Sequence, residues 1–383
     1  MPEYSGGLKS MNERQVSDRS VWDGDRESEL EKISKSLGLD SPMPGRVIGE
    51  QGQEFRLQLP SEEGTGILTG ALRFGAESAL DYPIAGDWVI ATRLEKDQFL
   101  IHSLLQRRSL LVRKSKGELL TPDPICANMD RIFLIQGLDG DFQPRRLERT
   151  LVQIWESGAA PIILLTKADL YSERKSELEE KIRTVRESAP GVSVHSISVY
   201  EGIGMEELSE YWKEGTTSAF IGSSGAGKSS LLNLLVGEDV RSVKNVRESD
   251  SRGKHTTSNR WMFRLGSGAW ILDTPGMREI QLWSDGSGLE DTFPEIYEAA
   301  KHCRFQDCSH ISEPDCGVKL AIDSGKISEE RFKSYLKLKR ELQRSANLAV
   351  SNSIESRAEK AKWKSIHKEQ KRMQKQRENE RYR

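Results

Sequence analysis

Long apolar runs are missing from this 383-residue chain. Stretches such as Pro161 to Leu165 and Leu231 to Val236 fall far short of the roughly 18 residues that a membrane span takes. No charged-then-apolar leader opens the sequence, so the expectation is a soluble, cytoplasmic protein with no membrane partner. Cysteine is scarce as well: there are four, and Cys303, Cys308 and Cys316 are bunched together. That is not the evenly used framework of a disulfide-stapled secreted fold, and a metal is the better reading of the cluster. Net charge is only −2, yet the last thirty residues hold eleven Lys or Arg against five Asp or Glu. A tail of +6 thus rides on a body of −8, and the two are read separately. At this length two or three domains can each bury a core.

Against these absences stands one dense stretch, Ala219 to Leu235. Within it Gly222-Ser223-Ser224-Gly225-Ala226-Gly227-Lys228-Ser229 fits G-x-x-x-x-G-K-[ST], with an apolar strand before it and a leucine-rich helix after it. Such a loop turns backbone N–H groups inward onto phosphate, and the helix N-terminus adds partial positive charge. Lys228 then reaches the β- and γ-phosphates, Ser229 holds Mg²⁺, and Ser230 continues the phosphate-binding run. The alternative, a bare glycine-rich turn, leaves the flanking strand and helix unexplained.

Around this loop strands and helices alternate. Arg131–Gln136, Pro161–Thr166, Val192–Ser198 and Ser218–Ile221 read as strands; 145–156, 172–187 and 204–213 read as helices. That rhythm predicts a parallel sheet with helices on both faces. Thr166-Lys167-Ala168-Asp169 follows one strand at its carboxyl end, where doubly wound sheets place ligands. An aspartate there accepts from both N1–H and the exocyclic amine of guanine, a pair adenine does not offer. Ser198-Val199, after the next strand, brings a backbone N–H to the guanine O6. Asp273-Thr274-Pro275-Gly276 is a D-x-x-G turn, its aspartate directed at Mg²⁺ and its glycine at the γ-phosphate. Gly253-Lys254-His255-Thr256-Thr257 lies where a switch loop supplies a threonine to the metal. Each tetrapeptide is weak alone; together they favour GTP over ATP.

Before this region, 44–111 carries five short alternating strands, the texture of a small barrel, OB-fold or SH3-like. Arg107, Arg108, Arg113, Lys114 and Lys116 follow it, either a track for a phosphate backbone or an ordinary solvated edge. Residues 1 to about 40 are polar, with a helical hint at Ser28–Leu37, and read as a mobile extension. Cys303-x₄-Cys308-x-His310-x₅-Cys316 offers three sulfurs and one imidazole, the donor count of a closed, structural zinc site. Buried reduced thiols are the plainer alternative, and His302 is a rival ligand; Cys126 reads as a core or loop cysteine. Ser328–Arg344 is an amphipathic helix with Phe332, Tyr335, Leu338 and Leu342 near one face. Beyond Ser351 the basic residues suit phosphate-backbone contact, or are a solvated tail.

The order of the motifs is unusual. In an ordinary small GTPase the base-reading motifs follow the phosphate motifs, and here 166–169 and 198–199 precede 222–229, 256–257 and 273–276. That order, with Tyr82-Pro83-Ile84-Ala85-Gly86-Asp87-Trp88-Val89 in the barrel and the cysteine cluster after the GTPase motifs, resembles the RsgA/YjeQ family of circularly permuted, ribosome small-subunit-dependent GTPases over residues 43–345. The resemblance implies a multidomain α/β protein: a flexible extension 1–42, an OB-like barrel 43–118, a permuted P-loop GTPase domain 119–284, a zinc-binding helical domain 285–345 and a basic tail 346–383. It also implies a monomer that hydrolyses GTP to GDP, is stimulated by the 30S subunit, touches 16S rRNA through barrel and zinc domain, and acts in late subunit maturation. Its metals would be one structural zinc on Cys303, Cys308, His310 and Cys316, and Mg²⁺ on Ser229, Thr257 and Asp273. Two departures stand out. Thr166 occupies the place where Asn is commonest, and Met277 follows the D-x-x-G glycine, where Ras-like enzymes place a water-orienting glutamine. A thioether does not orient water, and His255 is the catalytic candidate this sequence offers. Other readings are an RNA-binding assembly factor that keeps GTP as a structural ligand, and an ATP-using P-loop enzyme.

Overall fold

Along Glu54–Gln58, Phe55 and Leu57 turn inward while Glu54 and Arg56 face solvent, the two-residue period of a half-buried strand. This is β2 of a barrel made with β1 (Met43–Gln51), β3 (Glu63–Leu68), β4 (Trp88–Arg93) and β5 (Gln98–Leu104). The strands run β1-β2-β3-β5-β4, and β4 pairs back onto β1 to close the ring, with β3 and β5 parallel. Val47, Phe55, Leu57, Val89, Phe99 and Ile101 fill it. The OB-like expectation therefore holds. Strand β3 ends at Leu68, because the Thr69 hydroxyl accepts from Leu72 N–H and starts a short helix over Gly70–Gly75.

The computed structural model describes residues 22–114, 121–139, 142–237, 260–274 and 286–344. They fall into two compact units: the chain up to Val112 together with Pro124–Ile280, and Arg113–Asp123 together with the chain from Gln281 onward. Among the described residues no helix is long and apolar enough to cross a membrane.

Part of the stretch expected to be a mobile extension is ordered as helix α1 (Gly24–Leu37). Its caps explain it: the Asp23 carboxylate accepts from Arg26 N–H, and Gly38 closes the other end in the left-handed region. Leu30 is buried, Trp22 lies 5.1 Å from Trp88, and the Arg26 guanidinium sits 5.5 Å from the same indole. The basic cluster also reads differently. Arg107 is spent internally, donating to both oxygens of the buried Asp87 and to the carbonyls of Leu80 and Tyr82. Arg108 pairs with Asp23, and Arg113 with Asp123. Arg107 is therefore taken up inside the fold, whereas the Arg108 side chain stays 48% exposed in its surface pair; Lys116 lies outside the described residues.

After β6 (Leu110–Lys114) and β7 (Pro122–Ala127), which pair with each other, comes the parallel sheet. Its strands are β8 (Arg131–Gly137), β9 (Ala160–Thr166), β10 (Ser193–Ser196), β11 (Thr217–Gly222), β12 (Trp261–Arg264) and β13 (Trp270–Asp273). They run β10-β9-β8-β11-β13-β12, all parallel except β12. Strands β8 to β10 grow one way and β11 to β13 the other, so the order reverses between β8 and β11, where open α/β sheets hold their ligands. Every residue of β11 is buried, as a central parallel strand requires.

Barrel and parallel sheet are continuous. β1 pairs with β12 at Gly49 and Trp261, and a Cβ on Gly49 would stand 2.3 Å from that indole, so the approach needs glycine. Arg46 of β1 is wholly buried there, its guanidinium 5.5 Å from the Trp88 ring and 5.8 Å from Trp270, and it donates to the Thr217 hydroxyl at 2.6 Å.

The second unit is helical: Gly288–Thr292, Pro294–Ala300, Gly317–Asp323 and a helix over 329–344. Of the stripe expected on the last, Tyr335, Leu338 and Leu342 are buried, with Arg331 on the same face and Phe332 half-buried. Arg331 lies 4.1 Å from the Phe293 ring and donates to Glu295 at 2.7 Å.

Candidate functional site

The turn at the end of β11 is shaped by two backbone constraints. A Cβ on Gly222 would lie 2.1 Å from the Ile135 carbonyl, so the strand can pass β8 this closely only without a side chain. Gly225 and Gly227 take φ of +82° and +88°, left-handed values that turn the loop over on itself. The helix that follows, Lys228–Val236, begins at Gly227 with no side-chain cap, leaving its first N–H groups directed at the loop mouth. Lys228 is buried, and its ammonium lies inside the loop, 2.6 Å from the Gly222 carbonyl and 2.5 Å from that of Ser223. Ser224, Gly225, Ser229 and Ser230 are exposed and Ala226 is buried.

Two strands away, Thr166 ends β9. Its hydroxyl lies between two carbonyl oxygens, 2.7 Å from Ala226 and 3.3 Å from Gln136. Lys167 then takes φ +64°, a left-handed backbone unusual for lysine, and swings the chain into a 3-10 turn over Ala168–Tyr171. That turn presents Asp169, whose carboxylate accepts from the Ser198 hydroxyl at 2.6 Å. Ser198, fully buried, also accepts from Glu201 N–H, and its own N–H donates to Ile203, which folds 198–203 into a tight turn with Val199 half-buried at its start. Lys167 forms an ion pair with Asp139, just past β8. Asp273 ends β13, opposite Phe220 in register, and the next residue, Thr274, donates its hydroxyl to the Phe220 carbonyl.

Of the residues proposed from sequence, 166–169, 198–199, 222–230 and 273 thus lie at the carboxyl ends of β9, β10, β11 and β13, on one edge of one sheet. His255, Thr256, Thr257, Gly276 and Met277 lie outside the described residues. Asp139 and Thr274 escaped the sequence reading. Asp139 belongs to no spacing motif, and Thr274 sits inside a motif that singles out its neighbours.

In the second unit Cys303, Cys308, His310 and Cys316 bring their ligand atoms within 4.8 Å of one another. Cys303 and Cys316 sulfurs are 3.8 Å apart, and each is 3.5 Å from His310 Nδ1. A tetrahedral zinc with S ligands at 2.3 Å and N at about 2.0–2.1 Å sets those edges at roughly 3.8 and 3.5 Å, so the donor set fits that metal. Burial works to raise the Cys303 pKa, but N–H groups of Val318 and Gly317 aim at its sulfur and hold the thiol below its usual range. Glu313 braces the turn that carries His310, accepting from the Ser309 hydroxyl and from N–H groups of Ser309, Ile311 and Ser312. Cys126 is elsewhere, in the core of the first unit, where burial pushes its thiol up to about 12.

Comparison with known proteins finds the same family and fold. A family model described as RsgA GTPase matches residues 104–283, and one described as 50S ribosome-binding GTPase matches 217–352. The small ribosomal subunit biogenesis GTPase RsgA 2 of Lactiplantibacillus plantarum is 40% identical over 302 residues, covering 78% of this chain and 83% of its own length. The corresponding RsgA of Leptospira interrogans is 39% identical over 333 residues, covering 86% of this chain and 90% of its own. Among solved structures, YjeQ from Thermotoga maritima superposes with a TM-score of 0.60 at 26% identity, over 79% of this chain and 99% of its own. YloQ, described as a circularly permuted GTPase, shares the fold with a TM-score of 0.57 at 22% identity, over 79% of this chain and 95% of its own.

Proposed function

The chain belongs to the RsgA GTPase family, and on that premise we propose that it hydrolyses GTP to GDP and phosphate in the biogenesis of the small ribosomal subunit, stimulated by the 30S particle and touching its 16S rRNA. It acts in the cytoplasm, as a monomer, late in subunit maturation. The observation that carries the nucleotide reading is the Thr166 hydroxyl on the Ala226 carbonyl, which ties the end of the base-reading strand to the phosphate loop despite their inverted order in the chain.

In this reading Asp169 accepts from guanine N1–H and the exocyclic amine, with Ser198 holding the carboxylate in place and the Val199 N–H facing O6. Lys167 lies along the purine. The N–H groups of 223–229 and the ammonium of Lys228 hold the phosphates and meet the charge developing on the γ-phosphoryl oxygens. Mg²⁺, when bound, would supply positive charge against the phosphates; Ser229, Asp273 and Thr257 are the residues that would hold it, and Thr256 and Gly276 are assigned as the switch residues that would serve the γ-phosphate. His255 is the residue assigned to orient water, since Met277 lacks the chemistry. Zinc on Cys303, Cys308, His310 and Cys316 is structural, because four protein donors leave no open position. Phosphate release from GTP, measured with and without purified 30S particles, tests the whole: turnover that rises with the particles supports it. GTP retained without multiple turnover in their presence identifies instead an assembly factor with a structural nucleotide.

A further inference from the structure

Asp139 is not part of any nucleotide motif, yet it follows directly on a residue, Leu138, that is tied to β9 and to the turn after it. Its carboxylate folds back against the end of β8, where a Cβ on Gly137 would lie 2.7 Å from Oδ1, so glycine at 137 is what makes room for it. The residue between them is held by both backbone groups: Leu138 N–H donates to the Thr166 carbonyl at 3.0 Å, and the Leu138 carbonyl accepts from the Tyr171 hydroxyl at 3.0 Å. One of those ties reaches the last residue of β9 and the other the turn that presents Asp169. From this position Asp139 forms its ion pair with Lys167.

Lys167 is the residue in the turn that most needs orienting. Its backbone is held left-handed at φ +64°, and a four-carbon stem leaving such a position has many rotamers to choose from. The pair is not a stability device: Lys167 and Asp139 side chains are 34% and 38% exposed, and partly solvated pairs add little to folding. What the pairing does is direct the ammonium. β8 lies between β9 and β11 in the sheet, so a lysine rooted on β9 and anchored past β8 extends from the base-reading turn toward the phosphate loop.

We propose that Asp139 is a positioning residue for guanine-nucleotide binding. By anchoring the Lys167 ammonium it lays the lysine stem across the pocket as one wall for the purine, so that the wall is in place before the nucleotide arrives. This rests on the reading of Asp169 and Lys167 as base-binding residues. Fixing one long side chain in advance removes an ordering penalty that binding would otherwise carry, and predicts a three- to tenfold effect on affinity, about what one immobilised side chain contributes.

The test is a double-mutant cycle on the full-length protein, with fluorescent GDP titrations and thermal midpoints of the nucleotide-free protein. D139N is expected to weaken GDP three- to tenfold with an unchanged midpoint, D139E to recover part of the loss, and D139N/K167A to bind no worse than K167A alone. If D139N binds GDP as wild type while D169N is impaired, the positioning role is wrong and the base reading survives. If D139N and K167A losses simply add, Asp139 does not act through Lys167, and the proposal also fails. If D169N leaves GDP affinity untouched as well, the base pocket itself has been misplaced.

Discussion

The hydroxyl of Thr166 donates to the carbonyl of Ala226 at 2.7 Å, across 60 positions of chain. Thr166 is 2% exposed, so removing the hydroxyl takes a buried donor away from the Ala226 carbonyl. Thr166→Val should destabilise the first unit by about 1–3 kcal/mol and weaken GDP binding, with Thr166→Ser largely restoring both. Denaturant melts and GDP titrations check this; a valine variant that binds and melts as wild type would mean the link carries nothing.

Asp169→Asn should change which base is accepted rather than abolish binding. The carboxylate is acceptor-only, whereas the amide presents a donor that suits the 2-oxo group of xanthine. Competition of XDP against GDP reads it out, with preference moving toward XDP. An unchanged preference, with ATP competing effectively, would return the ATP-using alternative.

Gly222→Ala places a methyl 2.1 Å from the Ile135 carbonyl, backbone that cannot swing away. The expected cost is at or above the upper end of the roughly 1–3 kcal/mol that overpacking usually takes, together with loss of nucleotide binding. Gly225→Ala, with open space around its Cβ but φ +82°, should be milder. A reversal of that ranking, seen in thermal midpoints, would contradict the geometry.

One zinc per chain is expected by elemental analysis. Cys316→Ser should lose it and Cys126→Ser should keep it, because Cys126 sits in the core of the other unit. Since structural zinc contributes folding free energy directly, chelation should make 286–344 protease-sensitive while GDP affinity of the first unit is retained. Full zinc content in Cys316→Ser would move the site, with His302 the next candidate.

Truncation after 350 should weaken binding to 30S particles and flatten its salt dependence, because each lost phosphate contact lowers the slope. Equal affinity and slope would make the tail a solvated appendage.

The phosphate loop was legible because its chemistry demands fixed residues at fixed short spacing, and the Cys₃His cluster for the same reason. The permutation was legible from motif order alone. What the sequence hid was pairing over distance. Arg107 looks like a free cation until Asp87, 20 positions earlier, is folded beneath it. In helix α1 only Leu30, Ile33 and Leu37 are apolar, enough for a helical hint but not for its start, which is set by a single capping residue, Asp23, as its end is by Gly38. Asp139 carries no motif because its partner is chosen by the sheet order and not by spacing. The pairing of β1 with β12 joins residues 49 and 261, further apart than any local pattern reaches.

That last pairing means the molecule has no seam along which barrel and nucleotide sheet could be cut apart. Expressing residues 119–284 alone would uncover the Trp261 indole and the open edge of β12, and would strip Thr217, at the foot of the strand leading to the phosphate loop, of the arginine that donates to it. A fragment made that way should be sticky and poorly folded, so dissection of this enzyme is better done by point substitution at Arg46 or Gly49 than by scissors.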